Sequence, residues 1–155
     1  MPLLRAALSW NFVLATAICA SLLAQLIKVL LNLFIFHRFI AERMWGAGGM
    51  PSSHSATVCA MVVATGRYCG VNSPLFAIAA GLSLIVMYDA MGVRYETGEQ
   101  AKVLNRMFTE WMDQGFEQFQ LPHGKKLKEM VGHTPIEVVT GAALGIVLGF
   151  AMPMV

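Results

Sequence analysis

Charge is what this 155-residue chain has least of: 11 Lys and Arg stand against 9 Asp and Glu, 13% of the residues, where an ordinary soluble domain carries about 25%. With 57% hydrophobic residues and a mean hydropathy of +0.62, that scarcity excludes a typical soluble globular domain. Disorder is excluded too, because a chain this rich in Leu, Ile, Val, Phe and Met buries far more apolar surface than ordering requires. A net charge of +2 is too small for nucleic-acid binding by bulk electrostatics, so any basic site must arise from placement. Cysteine is sparse as well. Cys19, Cys59 and Cys69 sit in apolar stretches without metal-ligand spacing and read as buried small hydrophobes, with no disulfide, metal or cofactor expected.

What the chain has is long apolar runs. A bilayer core of about 30 Å takes roughly 20 helical residues, and four stretches reach or approach that length. The first, residues 11–36, carries Lys28 as its only formal charge; Arg5 and the alanines before residue 21 imitate a signal peptide, but the apolar run outlasts any such segment. The second covers about 51–66 and stops at Arg67, before a turn of Gly70, Asn72, Ser73 and Pro74. The third covers about 74–91, and the fourth starts near Thr134 and Pro135 with no formal charge after Glu137. The expectation is one all-α domain over residues 1–155, a polytopic bundle of about four transmembrane helices.

Between the third and fourth runs, residues 94–130 hold six basic and six acidic side chains, with Val103, Leu104, Met107, Phe108 and Trp111 at helical spacing. This reads as an amphipathic helix at the membrane interface. A solvated hairpin packing on itself is the alternative, since Gly115 and Leu121 to Gly124 break the pattern. Four spans put Arg5 and Arg67 on one face and Arg38, Arg43, Arg94, Lys102, Arg106, Lys125, Lys126 and Lys128 on the other. The positive-inside rule makes the second face cytoplasmic, which places an integral protein in the cytoplasmic membrane.

Polar residues converge on that second face. Ser21, Gln25, Lys28 and Asn32, spaced by four, three and four, share one side of the first helix. A lysine at such depth is costly and marks a functional site unless it snorkels to the interface. Gly48, Gly49, Met50, Pro51, Ser52, Ser53, His54 and Ser55 open the second span; this is either an anion site at a helix N-terminus or a plain capped start. At the fourth start, His133 and Glu137 are four residues apart. The carboxylate either fixes a reactive imidazole or adds an ordinary i,i+4 pair. Topology brings Lys28, Arg38, His54, Arg94, His133 and Glu137 to one membrane edge, with Asp89 and Asn32 as supporting candidates. Two histidines, fixed cations and two helix N-termini suit an oxyanion whose charge grows in the transition state, phosphate above all.

At these residues the sequence resembles the divergent branch of the type 2 phosphatidic acid phosphatase superfamily, related to vanadium-dependent haloperoxidases. The resemblance covers almost the whole chain and rests on residues 48–56, 88–94, 100–105 and 132–138. It implies a metal-independent hydrolase of a lipid phosphate or diphosphate: His133 as nucleophile, Glu137 orienting it, His54 as general acid and base, and Lys28, Arg38, Arg94, Ser52 and Ser53 binding phosphate. The pattern departs from the parent superfamily in four places. Ser53 replaces a glycine, Glu137 an aspartate, and Ile35 and Leu127 stand where arginines are expected. The missing arginines keep a rival open, a noncatalytic lipid-phosphate binding or transport protein; a purely structural membrane protein leaves the shared face of the two histidine motifs unexplained. Gly141, Gly145 and Gly149 lie four apart and permit close helix approach, either in a homodimer or within one chain.

Overall fold

The computed structural model describes residues 11–36, 49–114, 126–129 and 131–154, with the backbone only at 35 and 36; Arg5, Arg38, Arg43, Gly48 and Lys125 fall outside them. Five helices follow in order: α1 (Phe12–Phe36), α2 (Ser53–Cys69), α3 (Pro74–Met91), α4 (Val93–Asp113) and α5 (Pro135–Ala151). There is no strand among the described residues. The chain is an all-helical membrane bundle in which α1, and α3 with its continuation into α4, are long and apolar enough to cross a bilayer. Helices α2 and α5, 17 residues each, extend about 25 Å.

The packing is inverted relative to a soluble protein. Small residues fill most of the inside, with Ala20, Ala24, Ala56 and Ala60 forming one buried cluster, and Phe12, the one buried phenyl ring among the described residues, packs on Ala64 in another. Large apolar side chains such as Leu22, Phe34, Ile85, Val147 and Phe150 point outward. In lipid, a leucine gains nothing by turning inward, so helices associate through small residues whose backbones approach closely. Helix α2 is the hub, packed most extensively on α5, then α1, then α3, while α3 and α5 barely touch.

The glycine stripe of α5 makes the tightest of these contacts. A methyl group at Gly141 would collide with the Ser52 carbonyl, one at Gly145 with the Ala56 carbonyl, and one at Gly149 would lie 2.7 Å from Val63 Cβ. Within the chain all three glycines pack against α2.

The helix ends follow local chemistry. Ser73 caps α3 by accepting the Phe76 N–H at 3.2 Å, with Pro74 in the first turn. Helix α2 runs past the expected stop at residue 66, because Arg67 stays helical and donates to the carbonyls of Gly149 (2.6 Å), Phe150 (3.1 Å) and Met152 (2.7 Å). A cation there satisfies orphan carbonyls at the C-terminus of α5, so Arg67 ties two helices at the end opposite the histidines. The expected burial of all three cysteines is corrected: Cys59 is buried, Cys19 partly so, and Cys69 is exposed at the last residue of α2. Helix α4 shows features of both expectations for its segment. Val103, Leu104 and Met107 are exposed, while Gly98, Ala101 and Asn105 are buried on the opposite side.

Because the glycine contacts leave no room for a side chain, Gly145→Ala should lower thermal stability in detergent by roughly 1–3 kcal/mol through overpacking. Gly81→Ala, whose added methyl meets nothing within 4 Å, should leave it unchanged or slightly raised. Equal melting of the two variants would contradict the packing described.

Candidate functional site

Helices α1 and α3 end, and α2 and α5 begin, at the same edge of the bundle. Phe12 at the start of α1 packs with Ala64 near the end of α2, so the opposite ends bring Lys28 beside Gly49. Lys28 is 2% exposed. Its aliphatic stem passes within ordinary contact distance of the side-chain position at Gly49, which is held at φ +86°, where glycine is favoured. The lysine thus turns into the bundle instead of snorkelling outward, within electrostatic reach of Glu137 and His54. Asn32, one turn further along, is only partly buried.

His133 immediately precedes the capped start of α5 and is 3% exposed. Its backbone N–H donates to the Ala90 carbonyl at 3.1 Å, fastening it to the end of α3. Glu137 Oε2 lies 3.1 Å from His133 Nδ1 and accepts the Thr134 N–H at 3.0 Å. One carboxylate oxygen therefore caps the helix, as the reach-back half of a capping box does, and fixes the imidazole. Because a carboxylate only accepts, Nδ1 carries the hydrogen.

Across from it stands His54, one residue into α2 and exposed. The ring centroids of His54 and His133 are 6.3 Å apart with the planes at 62°. Together with Val86, Asp89, Ala90, Arg94 and Val131 they line a cavity of about 140 Å³. Arg94 Nε donates to Asp89 Oδ2 at 2.6 Å. That bond uses the inner nitrogen of the guanidinium, so Asp89 orients the arginine at the cavity wall. His54 lies within electrostatic reach of His133, Arg94 and Lys28.

One expected phosphate ligand is corrected. Ser52 is fully buried, its N–H donates to the Glu137 carbonyl at 2.9 Å, and its Oγ accepts from Ser55 N (3.4 Å) and Ser55 Oγ (3.1 Å). It caps α2 and ties α2 to α5, so its amide is not open to an anion. Ser53 is buried in the first turn of α2, and among the described residues its N–H makes no such interhelical tie. Arg38 lies outside the described residues. No cluster of three or more His, Cys, Asp or Glu able to hold a metal occurs among the described residues.

The profile of the Divergent PAP2 family matches residues 9–148. The chain belongs to this family. It is 39% identical over 144 residues to the membrane protein YuiD of Bacillus subtilis (strain 168), covering 89% of this chain and 91% of that protein. No solved structure matches. In this Divergent PAP2 protein the contacts that sequence reasoning missed are backbone ones, the Ala90 carbonyl that anchors His133 and the Thr134 amide on Glu137. The second carried a signal, the Thr134-x-x-Glu137 spacing of a capping box.

The burial difference between the two histidines makes a testable order. Diethyl pyrocarbonate should carbethoxylate His54 well before His133 in detergent-solubilised protein, as read by peptide mass spectrometry. Equal rates, or His133 first, would contradict the geometry.

Proposed function

We propose that the chain is a metal-independent membrane phosphatase that hydrolyses a lipid phosphate or diphosphate through a phosphohistidine on His133. The observation that carries this reading is the shared cavity, in which a buried imidazole held at Nδ1 by Glu137 faces a second, exposed imidazole. With the proton on Nδ1, the lone pair sits on Nε2, the nitrogen a nucleophile needs. In the proposed first step His133 Nε2 attacks phosphorus, the bond from phosphorus to the ester oxygen breaks, and protonated His54 gives its proton to the departing alkoxide. In the second, neutral His54 takes a proton from water, whose oxygen attacks phosphorus and breaks the P–N bond. Arg94, Lys28 and the Ser53 amide would hold the nonbridging oxygens as charge builds, with Arg38 a further candidate.

An amphiphilic substrate is favoured by what adjoins the cavity. An apolar groove of about 830 Å³ runs between α3 and α5 along Leu84, Ile85, Val139, Ala142 and Ile146, and reaches Asp89, which also lines the histidine cavity. Its volume is in the range of small-molecule sites, and its walls suit hydrocarbon. The basic residues at this end, Arg94, Lys102, Arg106, Lys126 and Lys128, support a cytoplasmic site in the cytoplasmic membrane.

Phosphate release from a panel of lipid phosphates in mixed micelles, with a chelator present, tests the proposal. Wild type should release phosphate; His133→Ala should abolish turnover, and His54→Ala should slow it by about 10²–10⁴-fold, with both variants still inserting. Full activity in either variant would overturn the assignment. A silent wild type that still binds a phosphorylated lipid would point to the noncatalytic reading, which the apolar Ile35 and Leu127 at the parent superfamily's arginine positions favour.

A further inference from the structure

Leu127, Glu129, Gly132 and His133, on the approach to α5, are fastened in turn to α4 and the end of α3. Asn105, 4% exposed on α4, accepts the Leu127 N–H at 2.8 Å through Oδ1. Its Nδ2 donates to the Leu127 carbonyl at 2.9 Å and to Glu129 Oε1 at 2.8 Å. Two residues on, the Glu129 carbonyl lies 2.5 Å from where a methyl group at Gly98 would stand. Gly132 then lies against the Tyr95 and Arg94 backbone with no room for a side chain, and the His133 N–H closes on the Ala90 carbonyl at 3.1 Å. Helix α4 is thus a rail for the strap that carries the imidazole.

We propose that Asn105 is a positioning residue: its side-chain amide sets the register of the strap on α4 and thereby the place of His133 against Glu137 and His54. Only a side chain with a donor and an acceptor on one plane can pair with both the N–H and the carbonyl of one backbone residue, as a neighbouring strand would. Aspartate has the same shape but no donor. At position 105 it would keep the Leu127 N–H bond, lose two bonds, and set a carboxylate against the Leu127 carbonyl and the Glu129 carboxylate. The strap would then be held at Leu127 by one bond instead of two, and the Glu129 side chain would lose its bond to α4.

The kinetic consequence rests on the phosphatase reading, whereas the register of His133 does not, so the test has two arms. In the first, protein carrying 15N-labelled histidine is examined in micelles, with His133→Ala identifying the His133 signals. Asn105→Asp should shift or broaden the Nδ1–H resonance of His133, and Arg106→Ala, an exposed neighbour, should leave it in place. In the second, Asn105→Asp should lower kcat on a lipid phosphate by roughly 10-fold to 100-fold, the scale of a small misplacement of reacting groups, with KM nearly unchanged. Asn105→Asp with Glu129→Gln, which returns a donor from the other side, should recover part of both effects. A wild type without turnover whose His133 signal still moves in Asn105→Asp would sink the phosphatase reading and uphold the positioning role. An unmoved signal, or an active Asn105→Asp with wild-type kcat, would overturn the positioning role. If Asn105→Asp fails to insert, Glu129→Ala, which removes one of the three bonds, should give smaller changes of the same kind, and no change there would equally overturn it.

Discussion

The close approach of α5 to α2 is the contact on which the rest depends. Gly141 lies against the Ser52 carbonyl, and the Ser52 N–H reaches the Glu137 carbonyl at 2.9 Å. Those two contacts bring the first turns of α2 and α5 together, and the first turns carry His54 and Glu137, with His133 just ahead. Any side chain at Gly141 would force the helices apart and separate the imidazoles. The same stripe that permits association in lipid therefore sets the geometry of the polar site.

Around that contact the remaining elements each constrain one degree of freedom. Arg67 ties the far end of α5 to α2 through three carbonyls. Ala90 anchors His133 to α3, and Glu137 fixes its ring. Lys28 adds a charge from α1 against Gly49. The weakly packed seam is the one between α3 and α5, and it is there that the apolar groove opens toward Asp89. Packing is thus firm on one side of the site and open on the other, as the proposed amphiphilic substrate would require.

Much of this was legible in the sequence. The boundaries of α1 and α3 followed from runs of apolar residues ended by charge or by glycine and proline, and the convergence of Lys28, His54, Arg94, His133 and Glu137 followed from counting crossings. Membership of the Divergent PAP2 family was legible too, in residues 48–56 and 132–138. The end of α2 was not, because Arg67 looked like a stop and is instead a cap for another helix, a partnership 82 to 85 residues distant. Nor was Ser52, whose N–H was expected to face an anion: which amides of a helix start are open depends on the helix packed beside it. Nor was the helix on which the glycine stripe packs within the chain, α2, which the spacing alone does not name.

The central claim is a covalent one, that phosphate passes through Nε2 of His133. The most direct measurement is rapid quenching of the wild type with a lipid phosphate labelled in its phosphoryl group, followed by alkaline peptide mapping. The account predicts acid-labile, alkali-stable phosphate on the peptide containing His133, formed and discharged at rates that support turnover. Phosphate release with no label on His133, or with the label on another residue, would contradict it.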